Sequence, residues 1–83
     1  MLTFNEELQV ITAMIKEYKE ELKSKTPFEQ YALQSISFVC KYASIEEYLL
    51  NHTTRNNVIY VGLDRLSCSQ FIFTIKDVRE VDL

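Results

Sequence analysis

The chain has 83 residues and a net charge of −3. It is 47% hydrophobic and 12% aromatic, with one Gly and one Pro. Such a composition supports a single folded domain with long elements and short connections, and excludes a disordered chain. Charge is spread evenly: residues 1–25 carry 5 acids and 4 bases, residues 26–57 carry 3 and 2, and residues 58–83 carry 4 and 3, so each third is −1. Neither the basic face of a nucleic-acid binder nor the carboxylate row of a nucleic-acid mimic is present.

Apolar residues at Phe4, Leu8, Ile11, Ile15, Tyr18 and Leu22 are spaced 4, 3, 4, 3, 4. This predicts one amphipathic helix from Phe4 to Lys23, with Val10 and Met14 widening its stripe. Thr3 is a candidate cap with Glu6 as capping-box partner, and Asn5 competes for that role. The opposite face carries Glu7, Lys16, Glu17, Lys19, Glu20 and Lys23, a solvated surface with weak pairing along the helix.

Thr26-Pro27-Phe28-Glu29 is a second helix start: Thr26 caps, Pro27 takes the first helical position and Glu29 reaches back. Phe28, Tyr31, Ala32, Leu33, Ile36, Val39, Cys40 and Ala43 continue at helical spacing. The short turn makes the two helices an antiparallel helical hairpin. Residues 35–42 carry a competing signal, because Ile36, Phe38, Cys40 and Tyr42 alternate with Ser35, Ser37 and Lys41 as in a strand. Val39 breaks that alternation, and the reading favours helix. Ser44-Ile45-Glu46-Glu47 repeats the capping-box pattern and starts either a short helix, Ile45 to Asn51, or a kinked continuation.

Residues 52–57 are polar and read as a loop. Val58-Ile59-Tyr60-Val61 and Gln70-Phe71-Ile72-Phe73-Thr74-Ile75 read as strands. With a connection near Asp64-Arg65 they form an antiparallel β-hairpin. Ile59, Val61, Phe71, Phe73 and Ile75 are placed toward the helices, and Val58, Tyr60 and Ile72 away from them. The tail from Asp77 to Leu83 is mixed and carries no firm assignment. The expected architecture is α+β: an N-terminal helical hairpin, with a possible short third helix, packed on a C-terminal β-hairpin in one domain.

Little points to catalysis. His52, the single histidine, sits in a polar loop and reads as solvated. No pattern ties Ser67, Cys68 or Asp64 to it as a nucleophile arrangement requires. Cys40 and Cys68 lie 28 positions apart, without the close-spaced ligand pairs of a zinc site; Cys40 reads as a small core residue. The Glu6-Glu7, Glu20-Glu21 and Glu46-Glu47 pairs diverge by about 100° on a helix. The single glycine, Gly62, leaves no phosphate cradle. No cofactor or metal is expected.

With a charged helix starting almost at Met1, no leader is expected, and no apolar run in the sequence approaches the ~20 residues of a membrane span. The expectation is a cytoplasmic protein with reduced thiols. Phe, Tyr, Met, Ile, Asn and Lys number 29 against 8 for Gly, Ala, Arg and Pro. That bias suits an AT-rich genome, such as a low-GC bacterium or a phage.

The apolar surplus and the open strand edges lead to a non-enzymatic protein-binding regulator or inhibitor. Its expected contact surface is Val58, Tyr60, Phe71, Ile72 and Phe73, and a phage-encoded inhibitor of a host or defence protein is its narrowest form. A homodimer is also expected, by pairing of helix faces or by joining of hairpin edges into a four-stranded sheet. The alternative function is nucleic-acid binding by the sheet, with Tyr60, Arg65 and Lys76 as contacts.

Overall fold

The computed structural model describes residues 2–62 and 70–83. Helix α1, Phe4–Lys23, begins at Thr3, whose hydroxyl accepts from the Glu6 N–H while the Glu6 carboxylate accepts from the Thr3 N–H. Asn5 is therefore not the cap. The helix stops at Ser24, which bonds back to Glu21 and Leu22. Ile11, Ile15 and Leu22 are its buried residues, whereas Val10 is exposed.

The second capping box forms as its sequence dictates: Thr26 and Glu29 exchange hydrogen bonds and Pro27 opens α2, Pro27–Ala32. The helix then ends after six residues, and none of them is buried. The long second helix expected through Ala43 does not form. Residues 36–40 instead make a strand, β1, Ile36–Cys40. Val39 does not interrupt the alternation, because it is simply an apolar residue on the outward side.

Helix α3, Ile45–Leu50, buries Ile45 and Leu49. Ser44 precedes it but makes no side-chain cap bond, so the expected third capping box is absent. A 3-10 turn, Arg55–Asn57, leads into β2, Val58–Gly62, and β3 is Phe71–Ile75. The predicted connection near Asp64-Arg65 lies outside the described residues, as do Ser67 and Cys68.

The sheet has three strands, ordered β1-β3-β2, with both pairs antiparallel. The last strand in the chain is thus the central one, and β1 occupies the side that a two-stranded hairpin would leave open. Ile36, Phe38 and Cys40 oppose Ile75, Phe73 and Phe71. Val58, Tyr60 and Gly62 oppose the same three residues from the other side. These nine positions form the inner face. The expected phase of β2 is thereby reversed: Val58 and Tyr60 share the face of Phe73, and Ile59 and Val61 point away. A shift of one residue exchanges the two faces of a strand, and β2 is apolar on both, so its composition does not set the phase.

The core gathers Ile11, Ile15 and Leu22 of α1, Ile45 and Leu49 of α3, and Cys40, Phe73 and Ile75 of the sheet. Val78 and Val81 of the tail complete it. The tail carries a 3-10 turn, Val78–Glu80, capped by the Asp77 side chain. It is stitched down at several points. The Val78 N–H donates to Gln34 O at 2.7 Å and the Asp82 N–H to His52 O at 2.7 Å. Lys19 Nζ donates to Val81 O.

Candidate functional site

The outer face of the sheet is the side of β3 that carries Ile72 and Thr74. Val39 and Val61 flank Ile72 from β1 and β2, and Ser37 and Ile59 flank Thr74. A row of three branched side chains, Val39–Ile72–Val61, therefore crosses all strands, with Ile59 beside it. Val39 is 58% exposed, Ile59 47% and Val61 58%. The hydroxyls of Ser37 and Thr74 satisfy one another at 2.9 Å. That pairing uses up the polar groups among these six and leaves the face apolar.

Of the five residues singled out from sequence, Ile72 alone belongs to this face. Phe73 is fully buried at the centre of the inner face, stacked between Phe38 (5.7 Å) and Tyr60 (5.4 Å). It is a core residue, and its place in the expected contact surface is corrected. Val58 and Phe71 are half-buried against the same core. Tyr60 is 45% exposed at the margin of the inner face. Val39, Ile59 and Val61 were missed because their exposure depends on the phase of β2 and on β1 being a strand. The alternation of Ile36, Phe38 and Cys40 was the signal that could have found Val39.

A second apolar surface lies on α2, where Phe28 is 79% and Tyr31 72% exposed. They sit three residues apart on one side of the helix. The helix is held from behind by Tyr18, whose hydroxyl donates to Leu33 O.

The polar features have structural partners. His52 is not a free loop residue, because its Nδ1 bonds Asp82 O at 2.9 Å and its ring lies 4.8 Å from that of Tyr48. With the Asp82 N–H bond to its carbonyl, His52 latches the tail. Buried Asn57 donates from Nδ2 to Thr53 Oγ1 (3.0 Å) and Asp77 O (2.9 Å), and accepts from the Asp77 N–H (2.9 Å). Arg79 grips the Asp77 carboxylate through Nε and Nη2, which lowers the Asp77 pKa below its ordinary value. Cys40 is buried, and desolvation pushes its thiol pKa up, the opposite of an activated nucleophile.

Two concavities have the size of a small-ligand site. One, between α1 and α3, is lined by Leu8, Thr12, Lys16 and Tyr48, and the Thr12 and Tyr48 hydroxyls bond each other at 2.8 Å. The other is lined by Lys19, Lys23, Gln30 and Arg79. Its three cations already pair with Val81 O, Glu20 and Asp77. Neither presents a convergent catalytic set. Among the described residues no three His, Cys, Asp or Glu side chains come together as a metal site. No helix is long and apolar enough to cross a membrane among those residues.

Of the expected nucleic-acid contacts, Lys76 is exposed just after β3. Tyr60 belongs to the inner face, and Arg65 lies outside the described residues. No protein-family model, curated protein or solved structure matches the chain.

Proposed function

We propose that the chain is a small non-enzymatic protein-binding module that regulates or inhibits another protein through the outer face of its sheet. The observation that carries this reading is the apolar row Val39–Ile72–Val61 with Ile59 beside it, in which Val39, Ile59 and Val61 are exposed and Ile72 is half-buried. Burying branched side chains of this kind against a complementary apolar surface yields about 25 cal/mol per Å². Contiguous exposed patches on small proteins usually mark such contacts. The AT-rich composition fits a phage-encoded inhibitor of a host or defence protein, acting in a reducing cytoplasm.

The test compares wild-type protein with Val39→Glu and Ile59→Glu as baits in a lysate of the natural host. Both positions are outside the core, so the variants keep their fold. A stoichiometric partner held by wild type and released by both variants is the expected result. A partner held equally well by all three baits, or none at any salt concentration, sinks the reading.

A further inference from the structure

The two edges of the sheet are not alike. In an antiparallel ladder, hydrogen-bonded and non-bonded pairs alternate. The Lys76 N–H donates to Asn57 O at 2.9 Å, which fixes the phase. Ile59 and Val61 direct their backbone groups into the sheet, and Tyr60 and Gly62 direct theirs outward. Val58 also turns its carbonyl outward, while its N–H is spent on Arg55 O in the 3-10 turn. By the same alternation Ser37, Val39 and Lys41 face outward on β1. There the Lys41 N–H is taken by the Glu7 carboxylate, at 3.3 Å from each oxygen. Leu2 and Val10 line a shared cleft with Val39, so α1 guards that edge.

The β2 edge lacks such a guard among the described residues. Its sequence, Val58-Ile59-Tyr60-Val61-Gly62, contains no charge and no proline, the usual devices that keep an edge from pairing. It is also complementary to itself. Turned about a two-fold axis at Tyr60, the strand sets Tyr60 opposite Tyr60 of a second copy and Val58 opposite Gly62. The outward groups then coincide: the two Tyr60 residues exchange N–H···O bonds, and each Gly62 N–H meets the Val58 carbonyl across the axis. The side chains match as well, with Ile59 facing Val61 on the outer side.

We infer that β2 pairs antiparallel with β2 of a second copy of this chain, giving a homodimer with a continuous six-stranded sheet. The join extends the apolar outer face across both copies, and it does not depend on that face having a partner. Five residues at a rise of about 3.4 Å give a contact only ~17 Å long. A contact one strand wide and that short buries less than the roughly 800 Å² per partner of a standard stable interface, so the dimer forms reversibly in the micromolar range.

The test reads mass and amide exchange on the same samples. Light scattering behind a sizing column is expected to rise from 9.8 kDa toward twice that value with concentration. The Tyr60 and Gly62 amide protons are expected to slow about tenfold or more over the same range. Ile59 and Val61, bonded within the chain, should hardly respond.

Gly62→Pro removes an outward N–H that has no acceptor among the described residues, and a Cβ there meets nothing nearer among them than Phe71 Cε1 at 4.0 Å. It should shift dimerisation to higher concentration, while Val39→Glu leaves the dimer intact and abolishes only partner binding. A mass of 9.8 kDa at every concentration overturns the inference. So does a dimer that protects Ser37 and Val39 instead, or Tyr60 protection already complete in the monomer. Since the wild-type exchange pattern decides, failure of Gly62→Pro to fold leaves the test in force.

Discussion

Asn57 holds more of this fold together than its size suggests. Its amide spans Thr53, at the end of the α3 loop, and both backbone groups of Asp77, where β3 gives way to the tail. An Asn57→Ala variant leaves the N–H and C=O of half-buried Asp77 without their protein partners, and each such group costs about 1–3 kcal/mol when water cannot replace the partner. We expect a loss of roughly 2–4 kcal/mol in urea unfolding, and an unchanged midpoint would refute the role. Asp77 supplies a pH signature. The hydrogen bond from Arg79 lowers its folded pKa below the ordinary 3.8. Its stabilising contribution is therefore complete above that value and disappears as pH falls through the lower, folded one. Asp77→Asn keeps the side-chain oxygen that caps the 3-10 turn but loses the charge. We expect it to be less stable than wild type at neutral pH and to lose less stability on acidification below the ordinary 3.8. Parallel acid-unfolding curves for the two proteins would dismiss the assignment. The exposed Glu6 and Glu29 carboxylates, also lowered by their capping bonds to Thr3 and Thr26, act in the same direction in both proteins and cancel in the comparison.

Among the elements, α1 and α3 differ from α2 in what they bury. Ile15 and Leu49 have no exposed surface, and Ile15→Ala should cost about 2–5 kcal/mol. Helix α2 buries nothing, so Phe28→Ser with Tyr31→Ser should alter stability by no more than ~0.5 kcal/mol. A larger loss in thermal unfolding would show that these rings support the fold after all. The same contrast explains what was legible in the sequence. The bounds of α1, the start of α2 and the positions of β2 and β3 followed from spacing and caps, because each depends on neighbours a few residues away. Helical propensity overran α2, since Leu33, Ile36, Val39 and Cys40 satisfy the helical period although β3 draws residues 36–40 into the sheet. The phase of β2 differs from the expected one for a related reason. Val58-Ile59-Tyr60-Val61 has no polar face to fix its phase, and the pairing of Val58 with Ile75 is information that lies 17 positions away. Ile72 lies on the side away from the helices, as its alternation with Phe71, Phe73 and Ile75 implies.

At the scale of the whole molecule the chain is elongated, 42 × 22 × 20 Å, and its tail is part of the core. Val78 and Val81 are buried beside Ile15 and Ile75, with His52, Thr53, Gln34 and Lys19 fastening the backbone around them. Removing residues 78–83 should therefore abolish the cooperative unfolding transition in circular dichroism, and a truncated chain that unfolds with the wild-type midpoint would contradict this. Strand order has a further consequence, in time. During synthesis β1 and β2 both emerge before β3, and they do not pair with each other. Each waits for the strand that lies between them, which for Ile36 means a contact 39 residues later, at Ile75. Closing that loop and the shorter one from Val58 must precede any ladder, so sheet formation is a late, nonlocal event that slows folding. In the interval β2 presents an uncharged strand with both sides unsatisfied. The protein's greatest exposure to misassembly thus falls while it is being made, and lower temperature or slower translation should change its soluble yield more than its final stability.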